Sequence, residues 1–228
     1  MTDADVRTRL AARLAEVEAR IAAACARAGR SRADITLVAV TKTVSPEVAA
    51  LLPGLGVADL GESRPQELWK KAAAIPAARW HLIGHLQRNK LDKTVPLVSL
   101  IHSADSERVL DALSEFGAKH GDPVPVVLEV NCSREANKGG FAPESLPELA
   151  GRPGIRVEGL MTMAAHADDP AECRPTFAEL RTLRDQLRAR TGLPLPHLSM
   201  GMSNDFEVAI EEGATHVRLG SVLFDGLG

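Results

Sequence analysis

Residues 35–43 read ITLVAVTKT, an apolar and β-branched run that stops on a lysine. Such a run, with no polar alternation, predicts a strand buried on both faces, as parallel strands covered by helices are. Seven more short apolar runs follow, at 57–61, 79–84, 97–102, 124–130, 155–161, 197–202 and 215–220. Amphipathic stretches separate many of them. Ser45-Pro46-Glu47 reads as an N-cap, a proline at the first helical position and an acid in the first turn. Asp105-Ser106-Glu107 opens a second helix, and residues 170–190 set Phe177, Leu180, Leu183 and Leu187 on one face of a third. Asn204 with Glu207 resembles a capping box, and Gly213 ends that helix. Ahead of all eight runs, Val6, Leu10, Leu14, Val17, Ile21 and Ala24 recur at helical spacing, predicting a helix over 3–28 stopped by Gly29. Its apolar stripe packs either on the rest of the chain or on another subunit.

Strands alternating with helices imply parallel pairing through crossovers. Eight units after a leading helix predict an α/β fold, a single (β/α)8 TIM barrel with an extra N-terminal helix. The expected layout is one domain over 1–228, with the helix at 1–29 and the barrel at 35–228. An open doubly wound sheet is the alternative, weakened because no GxGxxG turn follows the first run. The length of 228 residues suits one large domain. A net charge of −3 with interspersed signs gives no basic field for nucleic acid. The start, MTDADVRTRL, is polar, and no apolar stretch is long enough to span a bilayer. Cys25, Cys132 and Cys173 are widely spaced and odd in number, which fits a reducing, cytoplasmic setting.

In such a barrel the chemistry collects at the C-terminal ends of the strands. Lys42 ends the first. In a partly enclosed mouth a lysine becomes a nucleophile toward aldehydes and forms a Schiff base; in the open it is a solvated loop residue. Gly220-Ser221 at the end of the eighth strand precedes a tail that reads as a single helical turn, whose free N–H groups suit a phosphate. Strand seven ends in Ser199-Met200-Gly201-Met202-Ser203, where Ser203 reads as a cap for the following helix. Arg218 shares a strand face with Gly220. Inside a barrel it needs an acceptor, either Glu129 or Glu158 or an atom of a bound ring.

The combination resembles the alanine-racemase-type barrel that holds pyridoxal 5′-phosphate (PLP). More narrowly, the chain resembles the single-domain PLP homeostasis family, called YggS in bacteria and PLPBP or PROSC in animals. The stretches that carry the resemblance are AVTKT (39–43), GESRPQEL (61–68), WHLIGHLQRNK (80–90), HSADS (102–106), EVNCSREANKGGF (129–141), GLMTM (159–163) and LSMGMSNDFEVAIEEGATHVRLGSVLFDG (198–226). The resemblance implies a PLP fold type III barrel lacking the C-terminal β-domain of the racemases. It implies that Lys42 carries PLP as a covalent aldimine and that Arg218 faces the pyridine nitrogen. It assigns the phosphate to Ser199, Met200, Gly220 and Ser221. His85 falls in the family's IGxLQ loop near the ring face. Lys138 falls where many relatives have a lysine, and is either a vitamer-transfer residue or a solvated loop lysine. Where the family usually has GEN, this chain has Gly61-Glu62-Ser63, so Ser63 keeps a hydrogen-bonding group but not a carboxamide.

The implied function is intracellular PLP homeostasis: a protein that binds PLP reversibly, without robust catalysis, with other B6 vitamers and transient contacts to apo PLP-enzymes as further partners. Neither nucleic acid nor membrane is an expected partner, and a monomer is the default. Two alternatives stand beside it. An amino acid racemase needs an acid/base on each face of the cofactor. This chain has no tyrosine to serve as the second base and ends ten residues after Arg218, although a histidine or cysteine would substitute. A class I aldolase would use Lys42 with a phosphorylated sugar, but does not account for Arg218. No metal is expected.

Overall fold

The computed structural model describes residues 2–146, 148 and 152–227. Each of the eight apolar runs holds one strand: β1 Thr36–Val40, β2 Asp59–Glu62, β3 Arg79–Leu82, β4 Leu100–Ala104, β5 Val124–Glu129, β6 Ile155–Met161, β7 His197–Ser199 and β8 His216–Leu219. They pair in parallel in chain order and close into a barrel, with Thr36 opposite His216 and Ala39 opposite Leu219 at the seam. Closure removes both sheet edges. The surrounding helices are α1 Asp3–Arg27, α2 Pro46–Ala49, α3 Pro65–Ala74, α4 Leu91–Thr94, α5 Glu107–His120, α6 Arg174–Thr191, α7 Phe206–Glu211 and α8 Ser221–Phe224. The alternation is irregular between β5 and β6, where the described residues carry no helix and Val130 bridges to Phe141. Among the described residues no helix is long and apolar enough to cross a membrane.

The first helix begins on a capping box in which Thr2 and Asp5 satisfy each other's backbone N–H groups. It stops before Gly29, whose φ of 64° suits a left-handed turn. Its stripe packs on the barrel: Leu10, Val17, Ile21 and Ala24 are fully buried. The contacts go to α7 and α8. Arg20 pairs with Glu207 at 3.0 Å and lies over the Phe206 ring, while Arg13 donates to the Leu223 carbonyl at 3.1 Å.

The capping box expected at Asn204 and Glu207 does not form. The Asp205 carboxylate accepts from the Met202 N–H at 2.6 Å, closing a turn that delays α7 to Phe206. Asn204 is released to donate to the Ala167 carbonyl at 3.0 Å. Ser203 does not cap either: its hydroxyl accepts from the N–H groups of Gly220 and Val222 at 3.2 and 3.3 Å. This turn therefore joins the end of β7 to the start of α8.

Candidate binding site at the barrel mouth

The C-terminal strand ends open into a cavity of about 660 Å³. Its wall comes from the chain just past β1 (Lys42, Thr43), β2 (Ser63), β3 (Ile83), β6 (Met163, His166) and β7 (Met202, Ser203, Asn204), and from Arg218, Gly220 and Ser221. So the closed barrel brings Lys42, Ser63, Arg218, Gly220 and Ser221 to one site.

Lys42 stands on a stiff base. One residue before it, the Thr41 carbonyl accepts from Lys71 Nζ at 2.6 Å, and the same ammonium meets Glu62 Oε2 at 2.7 Å. The other Glu62 oxygen accepts the Ser63 N–H at 2.8 Å. Lys71 and Glu62 are both buried. An ion pair in that setting is costly unless every remaining donor and acceptor is met, and the Thr41 and Ser63 backbones meet them. The pair thus ties the two loops that carry Lys42 and Ser63. Gly84 completes this corner, because a Cβ there would lie 2.3 Å from the Ser63 carbonyl oxygen.

Arg218 is 5% exposed, points into the barrel and reaches the cavity floor. Its Nη1 donates to Ser199 Oγ at 2.6 Å and its Nη2 to the Thr162 carbonyl at 3.0 Å. Burial lowers its pKa to about 10, so it stays cationic at neutral pH. Neither glutamate weighed as its partner bonds to it. Glu158 pairs with Arg156 at 2.6 Å. Glu129 lies close enough to act through charge; burial and then the Asp105 carboxylate push it up to about 7.

Four of the expected residues do not line this cavity. Ser199 is fully buried beneath Arg218, its hydroxyl engaged by Arg218 and by His102 Nδ1 at 2.7 Å. Met200, one residue past the end of β7, is buried in the apolar layer beneath the helices. The chain reaches the cavity only further past the end of β7, at Met202, Ser203 and Asn204. His85 is exposed, accepts or donates at 2.9 Å with Asp105, and lines a separate groove with Leu86 and Arg88. Ile83 takes its place, because Ser103 Oγ holds the Gly84 carbonyl at 2.7 Å and the chain turns outward there. Lys138 is half-buried, pairs with Glu135 and donates to the Ala164 carbonyl at 2.8 Å. It is not among the residues that line the cavity.

Residues 13–227 match the sequence model of the family described as alanine racemase, N-terminal domain. A pyridoxal phosphate homeostasis protein of Aquifex aeolicus (strain VF5) is 44% identical over 218 residues, covering 93% of this chain and 96% of that one. This chain belongs to the pyridoxal phosphate homeostasis protein family. A relative from Pseudomonas aeruginosa in the same family is 39% identical, covering 94% of each chain. The structure of PipY of Synechococcus elongatus PCC7942 with PLP bound superposes with a TM-score of 0.81 at 31% identity, covering 94% of this chain and 99% of that one.

Lys42, Arg218 and the β8–α8 turn were legible as strand-end residues. Glu62 was legible only as the last residue of its strand and Lys71 not at all, since their pairing depends on a contact between β2 and α3. His166 and Asn204 lie past the strand ends on loops whose course no periodicity reports.

Proposed function

We propose that this protein binds PLP at the barrel mouth and serves intracellular, cytoplasmic PLP homeostasis, without robust catalysis of its own. The observation that carries the reading is the meeting, in one cavity, of a primary amine, a guanidinium and converging backbone N–H groups. Each suits one part of the cofactor. Lys42 condenses with the aldehyde. Arg218 has N–H donors beyond the two bonded to Ser199 and Thr162, and these suit the pyridine nitrogen. The Gly220 and Val222 N–H groups converge on Ser203 Oγ through long bonds of 3.2 and 3.3 Å, a geometry that admits a phosphate oxygen as a better acceptor. In this reading the phosphate meets Ser203 and the Gly220 and Val222 N–H groups, with Ser221 lining the cavity beside them, in place of Ser199 and Met200. The PLP-bound PipY neighbour supports the same cargo.

PLP supplies an aldehyde and an electron-withdrawing ring. A cation opposite the ring nitrogen disfavours its protonation and weakens the ring as an electron sink. Arg218, still charged at neutral pH, therefore favours holding the cofactor over carbanion chemistry. A racemase remains the second reading because His166 lines the same cavity as Lys42 and supplies a titratable group there. Lys42, exposed at the mouth, leaves the cargo open to exchange with amines and to collection by apo-enzymes.

The test is the visible absorption of protein with added PLP, for wild type and Lys42→Ala. The expected result is an imine band in wild type, trapped covalently by borohydride and missing in Lys42→Ala. No band at excess PLP overturns the reading. Interconversion of D- and L-alanine that depends on His166 would move the assignment to the racemase.

A further inference from the structure

Beneath the cavity the barrel interior is unusually polar. His81, His102 and His216 are buried there, and His197 is half-buried beside them. Two of them, His81 and His102, belong to a chain of contacts that ends at Arg218. At the N-terminal rim, Arg79 grips both oxygens of Asp59 at 2.8 and 2.5 Å. Asp59 Oδ1 lies 3.0 Å from His81 Nε2. His81 Nδ1 lies 3.0 Å from His102 Nε2. His102 Nδ1 lies 2.7 Å from Ser199 Oγ, which accepts from Arg218. The interior faces of β2, β3, β4, β7 and β8 thus share one row of hydrogen bonds from one end of the barrel to the other.

The direction of every bond in that row is fixed by elimination. Asp59 is ionised: burial opposes its charge, but the hydrogen bonds from His81 and Arg79 more than offset this. A carboxylate only accepts, so His81 donates from Nε2. Burial keeps His102 neutral, so it carries one N–H. If that hydrogen sits on Nε2, His102 donates to His81 Nδ1, and the Ser199 hydroxyl donates to His102 Nδ1. Every group is then satisfied. If it sits on Nδ1, His81 must become a buried imidazolium. Ser199 then accepts from both neighbours, and its own hydrogen, in a fully buried side chain, has neither neighbour left to accept it. The first order prevails.

We propose that His102 and His81 are positioning residues that hold the Ser199 hydroxyl turned away from Arg218. The Ser199 lone pair then stays on Nη1, and the guanidinium is held in one orientation at the cavity floor, between Ser199 and the Thr162 carbonyl. The inference rests on the reading that Arg218 meets the ring nitrogen, and it assigns a task to residues outside the cavity. A guanidinium held in this way cannot swing toward the phosphate end of the cargo. His216, neutral because burial lowers its pKa to about 3, packs its ring 5.8 Å from that of His102 and adds no competing charge.

Two measurements test this. In cofactor-free protein, ¹⁵N NMR of labelled histidine should find both His81 and His102 as neutral Nε2–H tautomers. An Nδ1–H tautomer at His102, or an imidazolium at His81 at neutral pH, overturns the inference. The second is PLP affinity and the pH midpoint of the imine band across four variants. Ser199→Ala and His102→Leu should weaken PLP roughly 3- to 10-fold, the factor equivalent to one neutral hydrogen bond. They should also shift the midpoint. His102→Asn keeps an acceptor for the Ser199 hydroxyl and should stay within about twofold of wild type. If His102→Asn fails as badly as His102→Leu, the positioning role is wrong. If Arg218→Gln lowers affinity while Ser199→Ala and His102→Leu do not, the relay fails and the ring-nitrogen reading stands. If Arg218→Gln changes neither readout, that underlying reading fails instead.

Discussion

Lys71 sits in an environment far from the usual one for its type. A helix-surface lysine on α3 is here 2% exposed, with its ammonium between Glu62 and the Thr41 carbonyl. Such a pair adds little net stability when intact, yet removing one member strands the other. Lys71→Met should therefore cost about 3–5 kcal/mol in urea unfolding. The double change Glu62→Leu with Lys71→Met should recover much of that loss, since no charge is left alone. A single-variant cost below about 1 kcal/mol would mean water reaches Glu62. The same variant loosens the turn before Lys42, so its PLP affinity should fall although Lys71 does not line the cavity.

Among elements, α1 does more than cover the barrel. It contacts α7 and α8, and α8 starts at the Gly220–Ser221 turn. Arg13, Arg20 and Arg27 reach Leu223, Glu207 and Glu211, so both polar and apolar contacts hold the stack. These surface pairs are worth little individually, so the buried stripe dominates. Leu10→Ala, at a fully buried position, should cost about 2–5 kcal/mol as transfer and cavity terms add. A loss under about 1 kcal/mol in urea unfolding would show that the α1 contact is loose. The reading of α1 from spacing alone gave its extent to within one residue but left its partner open, because an apolar stripe reports that a face is covered and not by what.

At the scale of the whole molecule, the polar barrel interior should set the acid response. His216 is lowered to about 3 by burial, and His102 is held well below its ordinary value for the same reason. Their unfolded counterparts take up protons below about pH 6.5 while the folded forms do not. Stability from these two groups is therefore present above that pH and lost as pH falls, by up to about 1.4 kcal/mol per unit for each. Glu129 works in the opposite sense. Its folded value of about 7 lies above the unfolded one, so its contribution is present at low pH and lost as pH rises through about 4.3 to 7. Urea midpoints should begin to fall below about pH 6.5, earlier than carboxylates alone would cause. Glu129→Gln should steepen the fall by removing the opposing slope. A flat profile down to pH 5 in both proteins would contradict this account.

Local order was written in the chain itself. The eight strands, the first helix and the lysine, arginine and glycine at strand ends follow from period and from neighbours a few residues apart, which no tertiary contact needs to supply. What the closed barrel alone decided is how far each chain runs past its strand before meeting the mouth. That distance is why Ser203 and Asn204 line the cavity in place of Ser199 and Met200, and Ile83 in place of His85. It also decided the pairings across the interior. Lys71 finds Glu62 because α3 packs back on β2, and His81 finds His102 and through it Ser199 because closure brings side chains from five strands within hydrogen-bond reach. Burial then makes each of those groups find a partner, since water is no longer there to serve as one.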